Sequence, residues 1–340
     1  MDLLIPNEIS AFFNDKNYTN ITPYKIDEIP EDNKTIFITA GIQPSIDTYK
    51  KMNTDEKTTT FISQPVLRTQ YLDSIEEGSS IAFVNPTTAG FNINKKDYES
   101  MIKDWYNFFN QIGLNTENIS TQDRECNTVW GDLSLKGIST FYYYNKTNVG
   151  NVEIGDSTYF DEIHSTSGNR LKIKTLSDLG FGLERLRWCT FEDEKSYFDI
   201  YSDSRNIDSR KKGLISALSV LGINNVQPSQ KNQGYRARHF SKKLVNEKDG
   251  NDLNIEEQKY LVECLKYWSD WENIDLTKEK AQKAYSIIKK EFDRNCNSLL
   301  ISKLNPEQKE LVKRVNVNLP REDFIKRLAS AKINIEQERW

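Results

Sequence analysis

A β-branched stretch from Thr58 to Leu67, a loop holding Glu76, Glu77 and Gly78, and a second apolar stretch, Ser80-Ile81-Ala82-Phe83-Val84-Asn85, set the tightest limit on the fold. Two strands joined by so short a loop pair most simply as antiparallel neighbours. Upstream, Thr35-Ile36-Phe37-Ile38-Thr39-Ala40-Gly41-Ile42 is a continuous apolar run bounded by turn residues and reads as a buried strand. Further strands are expected at Gly137 to Tyr144, Asn151 to Phe160 and Leu171 to Leu176. Residues 7 to 14 read as a short helix with Ile9, Phe12 and Phe13 on one side. Between Lys95 and Ile112, the residues Tyr98, Met101, Ile102, Trp105, Phe108, Phe109 and Ile112 recur at helical spacing, with Asn94 as cap and Gly113 as stop. That stripe is core. The pattern is an antiparallel sheet with helices laid against it, an α+β layout.

Beyond Arg205 the periodicity turns helical. A helix over 209 to 221 ends at Gly222, Asn254 with Glu257 makes a capping box for a helix reaching Trp271, and Thr277 starts another. Asn305-Pro306 and Leu319-Pro320 each put proline at a first helical position. The expected division is residues 1–205 for the α+β part and 206–340 for an all-helical domain. With 340 residues, 37% hydrophobic and 28% charged, the chain has the composition of a soluble globular protein of two domains. No apolar run approaches the roughly 18 residues that span a bilayer, and the first ten residues lack a basic start followed by an apolar stretch, so a cytoplasmic location is the default.

Cys126, Cys189, Cys264 and Cys296 are too scattered for a zinc knuckle or a disulfide framework and read as buried thiols. His164 and His239, the only histidines, make no metal-binding pair. A net charge of −4 gives no global case for nucleic acid. Between Asp203 and Leu244, however, nine basic side chains (Arg205, Arg210, Lys211, Lys212, Lys231, Arg236, Arg238, Lys242, Lys243) stand against two acidic ones (Asp203, Asp208). A charge run of this kind is commonly only a solvated face.

The stretch Ser177-Asp178-Leu179-Gly180-Phe181-Gly182-Leu183-Glu184-Arg185-Leu186-Arg187-Trp188 turns an extended segment into a helix. Its glycines allow close backbone approach and angles that a side chain forbids, and Arg185 rides on the helix with a planar fork suited to phosphate. On spacing alone, Gly-x-Gly is a turn and Glu184-Arg185 a solvated pair. The chain has no Gly-x-x-x-x-Gly-Lys-Ser/Thr, so any use of ATP proceeds without a P-loop.

Gly180-Phe181-Gly182-Leu183-Glu184-Arg185 resembles the third signature motif of the class II aminoacyl-tRNA synthetases, and Asp178 through Leu186 is similar to the form in alanyl-tRNA synthetase. Ser63-Gln64-Pro65-Val66-Leu67-Arg68 resembles the family's second motif, and Ile36 to Ile42 its early strand ending in Asn-Ala-Gly-Met, with Thr39 in place of Asn. The resemblance implies a class II type antiparallel sheet, ATP with Mg²⁺, and an amino acid as substrates. Arg68 would meet the α-phosphate and Arg185 the far end of the triphosphate, while Gly180 and Gly182 would line the nucleotide. Phe83 would offer its ring to adenine, or be an ordinary core residue. Asn127 to Trp130 resembles the segment whose tryptophan walls the amino-acid pocket. Glu153 would help hold Mg²⁺, or be a strand-edge carboxylate. Asp178 would pair with the substrate ammonium. Asp156 and Thr158 replace an amide and an apolar residue of the alanine pocket, which makes the site more polar and opens specificity to serine, glycine or a non-proteinogenic amino acid.

Val226 to Tyr235, continuing through Arg236, Arg238, Lys242 and Lys243, is similar to the segment that opens the domain docking the tRNA acceptor stem, with Gln230 at the place of a base-reading asparagine. The chain departs from the family at Phe141, where a glutamate is expected, and lacks the family's Leu-Tyr-Asp-Thr-Tyr-Gly-Phe-Pro run, its editing domain and its C-terminal oligomerisation domain. The expectation is an amino-acid-activating ligase that forms an aminoacyl-adenylate. Its acceptor is a tRNA 3′ end, or a carrier protein or small-molecule amine in a repurposed relative. A non-catalytic binder of an amino acid or adenylate is the third reading.

Overall fold

Helix and strand propensities alternate along the first 200 residues and give way to helix alone. In the computed structural model, which describes residues 6–28, 35–73, 75, 78–168, 172–191, 197–201, 206–313, 315–331 and 333, the chain forms two compact units. One is Met1–Ile200 with Asp270–Asn273; the other is Tyr201–Ser269 with Ile274–Trp340. The 205/206 division expected from the sequence lies beside residues 202–205, outside the described residues, as do Glu76, Glu77 and Leu171.

The first unit is α+β. In chain order it runs α1 (Pro6–Asp15), β1 (Thr19–Asn20), α2 (Ile42–Met52), β2 (Thr58–Leu67), β3 (Ala82–Phe91), α3 (Lys95–Gln111), β4 (Ile119–Trp130), β5 (Leu133–Lys146), β6 (Gly150–Ser165), β7 (Leu176–Phe181) and α4 (Leu183–Thr190). The seven strands form one sheet in the order β1-β2-β3-β7-β6-β5-β4. All neighbours are antiparallel except the two-residue β1, which lies parallel to β2. The sheet is therefore mixed, with the antiparallel pattern confined to β2–β7.

Strand alternation gives each face its own role. Helix α3 covers one face. Asn94 and Asp97 close its start in a capping box. Its apolar stripe packs with Phe13 of α1, where the Phe13 and Phe61 rings stack at 4.3 Å. Trp105 Nε1 donates to Thr88 Oγ1 at 2.8 Å, and the Tyr98 and Tyr142 hydroxyls meet Ser157 Oγ at 2.8 and 2.9 Å. On the opposite face, α2 seals one end with Ile42, Ile46 and Tyr49 packed against Ala89, Phe91, Phe160 and Leu176. The rest of that face carries the candidate site.

The strand expected over Thr35–Ile42 does not form: residues 35–40 are irregular and Ile42 begins α2. Its backbone groups find other partners. Thr39 N and Ala40 N donate to Gln43 Oε1, Gly41 N donates to Asn85 Oδ1, and Ile38 O accepts from Leu67 N. Phe37, Ile38 and Ile42 are nonetheless buried. An apolar run of this length signals burial without specifying strand. The last expected strand, Leu171–Leu176, is displaced: β7 begins at Leu176 and runs to Phe181. The strand β4 was not expected; most of its residues are exposed, and so it lacks an apolar alternation to announce it.

The second unit is helical: α5 (Ser209–Ile223), α6 (Asn232–Glu247), α7 (Ile255–Trp271, whose last two residues count with the first unit), α8 (Lys278–Lys303), α9 (Pro306–Val312) and α10 (Arg321–Ser330). Helix α5 is buried on all sides from Lys212 to Gly222. The capping pair of Asn254 and Glu257 is present, Thr277 caps α8 and Pro306 opens α9 behind Asn305. Pro320 differs from expectation: it is the cap of α10, one position before the first helical residue.

Candidate functional site

The register between β6 and β7 sets Asp156 opposite Gly180 and Thr158 opposite Asp178. Side chains at directly paired positions share a face, as do residues two apart along a strand. Asp156, Thr158, Asp178 and Gly180 therefore lie on one face. Gly180 and Asp178 are in turn opposite Thr87 and Ala89 of β3, and Phe83 and Asn85 continue the same row. Across β5, Ser139 faces Thr158 and Phe141 faces Asp156.

Arg68 leaves the end of β2 toward this floor. Its Nε donates to Thr39 O at 2.8 Å, and its guanidinium lies 4.9 Å from the centre of the Phe83 ring. The charge is close enough to draw down both carboxylates, yet burial outweighs it. Burial raises the Asp156 carboxyl to about 6, with Glu153 adding to the rise. Burial, then the neighbouring Asp156, hold Asp178 well above the usual carboxylate range. Both residues keep part of their surface open, so they are crowded by protein and still accessible, as at the bottom of a recess. The Thr158 hydroxyl is engaged with Ser139 Oγ at 2.6 Å.

Arg185 is held from two sides. Its Nε donates to Gly78 O at 2.6 Å and its Nη1 to Glu153 O at 2.8 Å, with the Glu153 carboxylate 3.9 Å away. Gly78 has φ +78°, and a β-carbon there would lie 2.9 Å from the Trp188 ring, so this acceptor position requires glycine. Glu153 thus touches Arg185 and also acts on Asp156, which links the two arginines through neighbouring charges. The Mg²⁺ expectation fits only in part: a single carboxylate beside a guanidinium is one ligand at most. Among the described residues no three histidine, cysteine or acidic side chains gather in a metal-binding group.

Gly180 and Gly182 do not use the angles expected of them. Gly180 sits in strand β7, Gly182 has φ −88° and ψ 110°, and neither has positive φ. Trp130 stands at the end of β4 and meets Phe160 edge to face at 5.6 Å, two residues along β6 from Thr158. Three positioning residues escaped the sequence reading. Asn85 accepts from Gly41 N and donates to Phe181 O, both at 2.9 Å, pinning the Thr39 segment to the end of β7. Gln64 clamps Tyr24 by accepting from its N–H and donating to its carbonyl. Glu184 is 1% exposed and accepts from Val84 N with both oxygens at 3.0 Å. Asn85 and Gln64 signal themselves only as polar side chains inside strands, and Glu184 only as a carboxylate in the first turn of α4.

The acceptor-docking candidates lie in the helical unit. Gln230 is exposed just before α6. Along α6, Arg236, Lys242 and Lys243 fall on the outward side with Tyr235, which is 49% exposed and stacks on His239 at 6.0 Å. Arg238 is engaged elsewhere, with its Nε 3.4 Å from Glu291 of α8. A separate recess of about 590 Å³ in the first unit is bordered by Phe12, Phe108, Ile112, Arg187 and Phe191. None of the residues expected to bind substrate borders it. No helix among the described residues is long and apolar enough to cross a membrane. No family model and no curated protein matches the chain.

Proposed function

We propose that the chain is an ATP-dependent ligase that activates an amino acid as its aminoacyl-adenylate and passes the acyl group to an acceptor. The observation that carries this reading is the grouping of Arg68 with Asp156 and Asp178 over one face of the sheet, with Arg185 beside Glu153. Asp178 would take the substrate's ammonium. The substrate carboxylate oxygen would then attack the α-phosphorus of ATP; a new oxygen–phosphorus bond forms as the bond to pyrophosphate breaks. Arg68 would stabilise the charge gathering on the α-phosphate, and no general base is needed. Because Thr39 O and the Phe83 ring already orient it, Arg68 would act without reorganisation. Arg185 would receive the distal phosphates. Magnesium carried by the phosphates would neutralise charge and draw on Glu153.

The acceptor is an RNA 3′ end if the outward face of α6 binds phosphate, and a carrier protein or small amine if it does not. Amino-acid-dependent exchange of labelled pyrophosphate into ATP tests the activation step. We expect Arg68→Ala and Arg185→Ala each to lower that exchange by about a hundredfold or more, the scale of losing one preorganised charge-stabilising donor. No exchange with any amino acid would favour a non-catalytic binder.

A further inference from the structure

The floor of the site carries one more negative charge than a simple α-amino acid can answer. Asp156 and Asp178 are diagonal neighbours on β6 and β7, and Gly180, opposite Asp156, adds no side chain of its own, so that Asn85 and Thr87 of β3 are the side chains standing nearest that position. Among the described residues neither carboxylate has a hydrogen-bond or ion-pair partner, and Arg68 is the only cation there that acts on either. The Thr158 hydroxyl, between them on the same face, is committed to Ser139. When Arg68 holds a phosphate, as the ligase reading requires, both carboxylates must share their counter-charge with it.

We infer that the substrate is a short diamino acid, with Asp178 taking the α-ammonium and Asp156 a second ammonium on the side chain. The inference rests on the ligase reading for the role of Arg68, and on the sheet register for the two carboxylates. A diagonal pair is spaced about 7–8 Å between backbones. Two side chains leaning toward a common ligand from that distance suit nitrogens separated by two or three carbons. Alanine would leave Asp156 unanswered in a desolvated recess, and serine would offer it a hydroxyl without a charge. Arg68 from the end of β2, Glu153 on β6 and Asp178 on β7 are the charged groups acting on Asp156, and Glu153 already has Arg185 as its neighbour. A substrate with two ammonium groups would favour the charged form of both carboxyls, and below about pH 6, where Asp156 is protonated in the free protein, its binding would release a proton from Asp156 to the buffer.

The test compares pyrophosphate exchange by the full chain with 2,3-diaminopropionate, 2,4-diaminobutyrate, serine and alanine. We expect kcat/KM for one of the diamino acids to exceed that for serine and alanine by about a hundredfold, and Asp156→Asn to erase the preference. Preference for serine or alanine, or an unchanged ratio in the folded Asp156→Asn protein, overturns the inference and leaves the ligase reading standing. If no amino acid supports exchange, the ligase reading fails and calorimetry without ATP decides separately. Binding of 2,4-diaminobutyrate at about pH 5 with proton release, lost or reduced in Asp156→Asn, supports the two-carboxylate site. Absence of binding overturns it.

Discussion

Asp156 is held where its charged form is disfavoured, and the sign of that effect on stability can be worked out. Its carboxyl titrates near 6 in the folded chain, above the ordinary value, chiefly because burial strips water from it. As pH rises, the unfolded chain releases this proton first and gains the advantage; stability falls between about pH 4 and pH 6 and stays lower above. Asparagine has no proton to lose. Asp156→Asn should therefore be more stable than the parent by about 1–2 kcal/mol at pH 7.5, a figure reduced for the part of the carboxylate open to water. The gain should vanish at pH 4, as urea midpoints at the two pH values will show. Glu184 is the opposite case, because its carboxylate holds the buried Val84 N–H. Glu184→Ala should lower stability by about 2–4 kcal/mol, with a matching fall in the urea midpoint. The sequence placed Glu184 as half of a solvated pair, for its true partner is a backbone group 100 residues away and has no side-chain signature. Arg68 and Asp178 were legible through the motifs that Ser63 to Arg68 and Asp178 to Leu186 resemble and not through strand pattern: Arg68 follows the last residue of β2, and Asp178 lies beyond the strand expected at Leu171 to Leu176.

Elements defined by local chemistry were the legible ones. Asn94, Thr277, Asn305 and the Asn254–Glu257 pair cap helices through bonds three residues long, and each is where the sequence put it. Elements defined by distant partners were not. The run Thr35–Ile42 has strand composition, yet its backbone is satisfied by the side chains of Gln43 and Asn85, and Thr39 O is given to Arg68. That irregularity has a use: a strand at this position would commit the carbonyl that orients the guanidinium. Helix α6 shows how a loop can be fitted to an element. A β-carbon on Gly234 would lie 2.4 Å from both Gln227 O and Ser229 Oγ, so the Pro228-Ser229-Gln230 turn rests directly on the helix backbone. Gly234→Ala would lift that turn, and Gln230 with it. Thermal unfolding should show a loss of about 1–3 kcal/mol, against the gain that alanine normally brings to an exposed helix.

At the scale of the whole molecule, a net charge of −4 repels polyanions at long range, so any nucleic-acid affinity must come from a local surface. The outward side of α6 is the candidate for that surface: Tyr235 offers an exposed ring, with Arg236 5.9 Å from its centre, and Lys242 lies two turns along. If the acyl acceptor is an RNA 3′ end, affinity for a short stem with a single-stranded CCA end should fall linearly with the logarithm of salt concentration. Each cation on a phosphate contributes about one to that slope, so the Arg236→Ala, Lys242→Ala double variant should flatten it by about 2. Arg238→Ala supplies the contrast. Its guanidinium is occupied by Glu291, so its removal should lower the melting temperature of the protein and leave the salt slope unchanged. A slope that the double variant does not alter would mean that these side chains touch no phosphate. The basic face of α6 would then be a solvated surface, and the acceptor would be sought among carrier proteins and small amines.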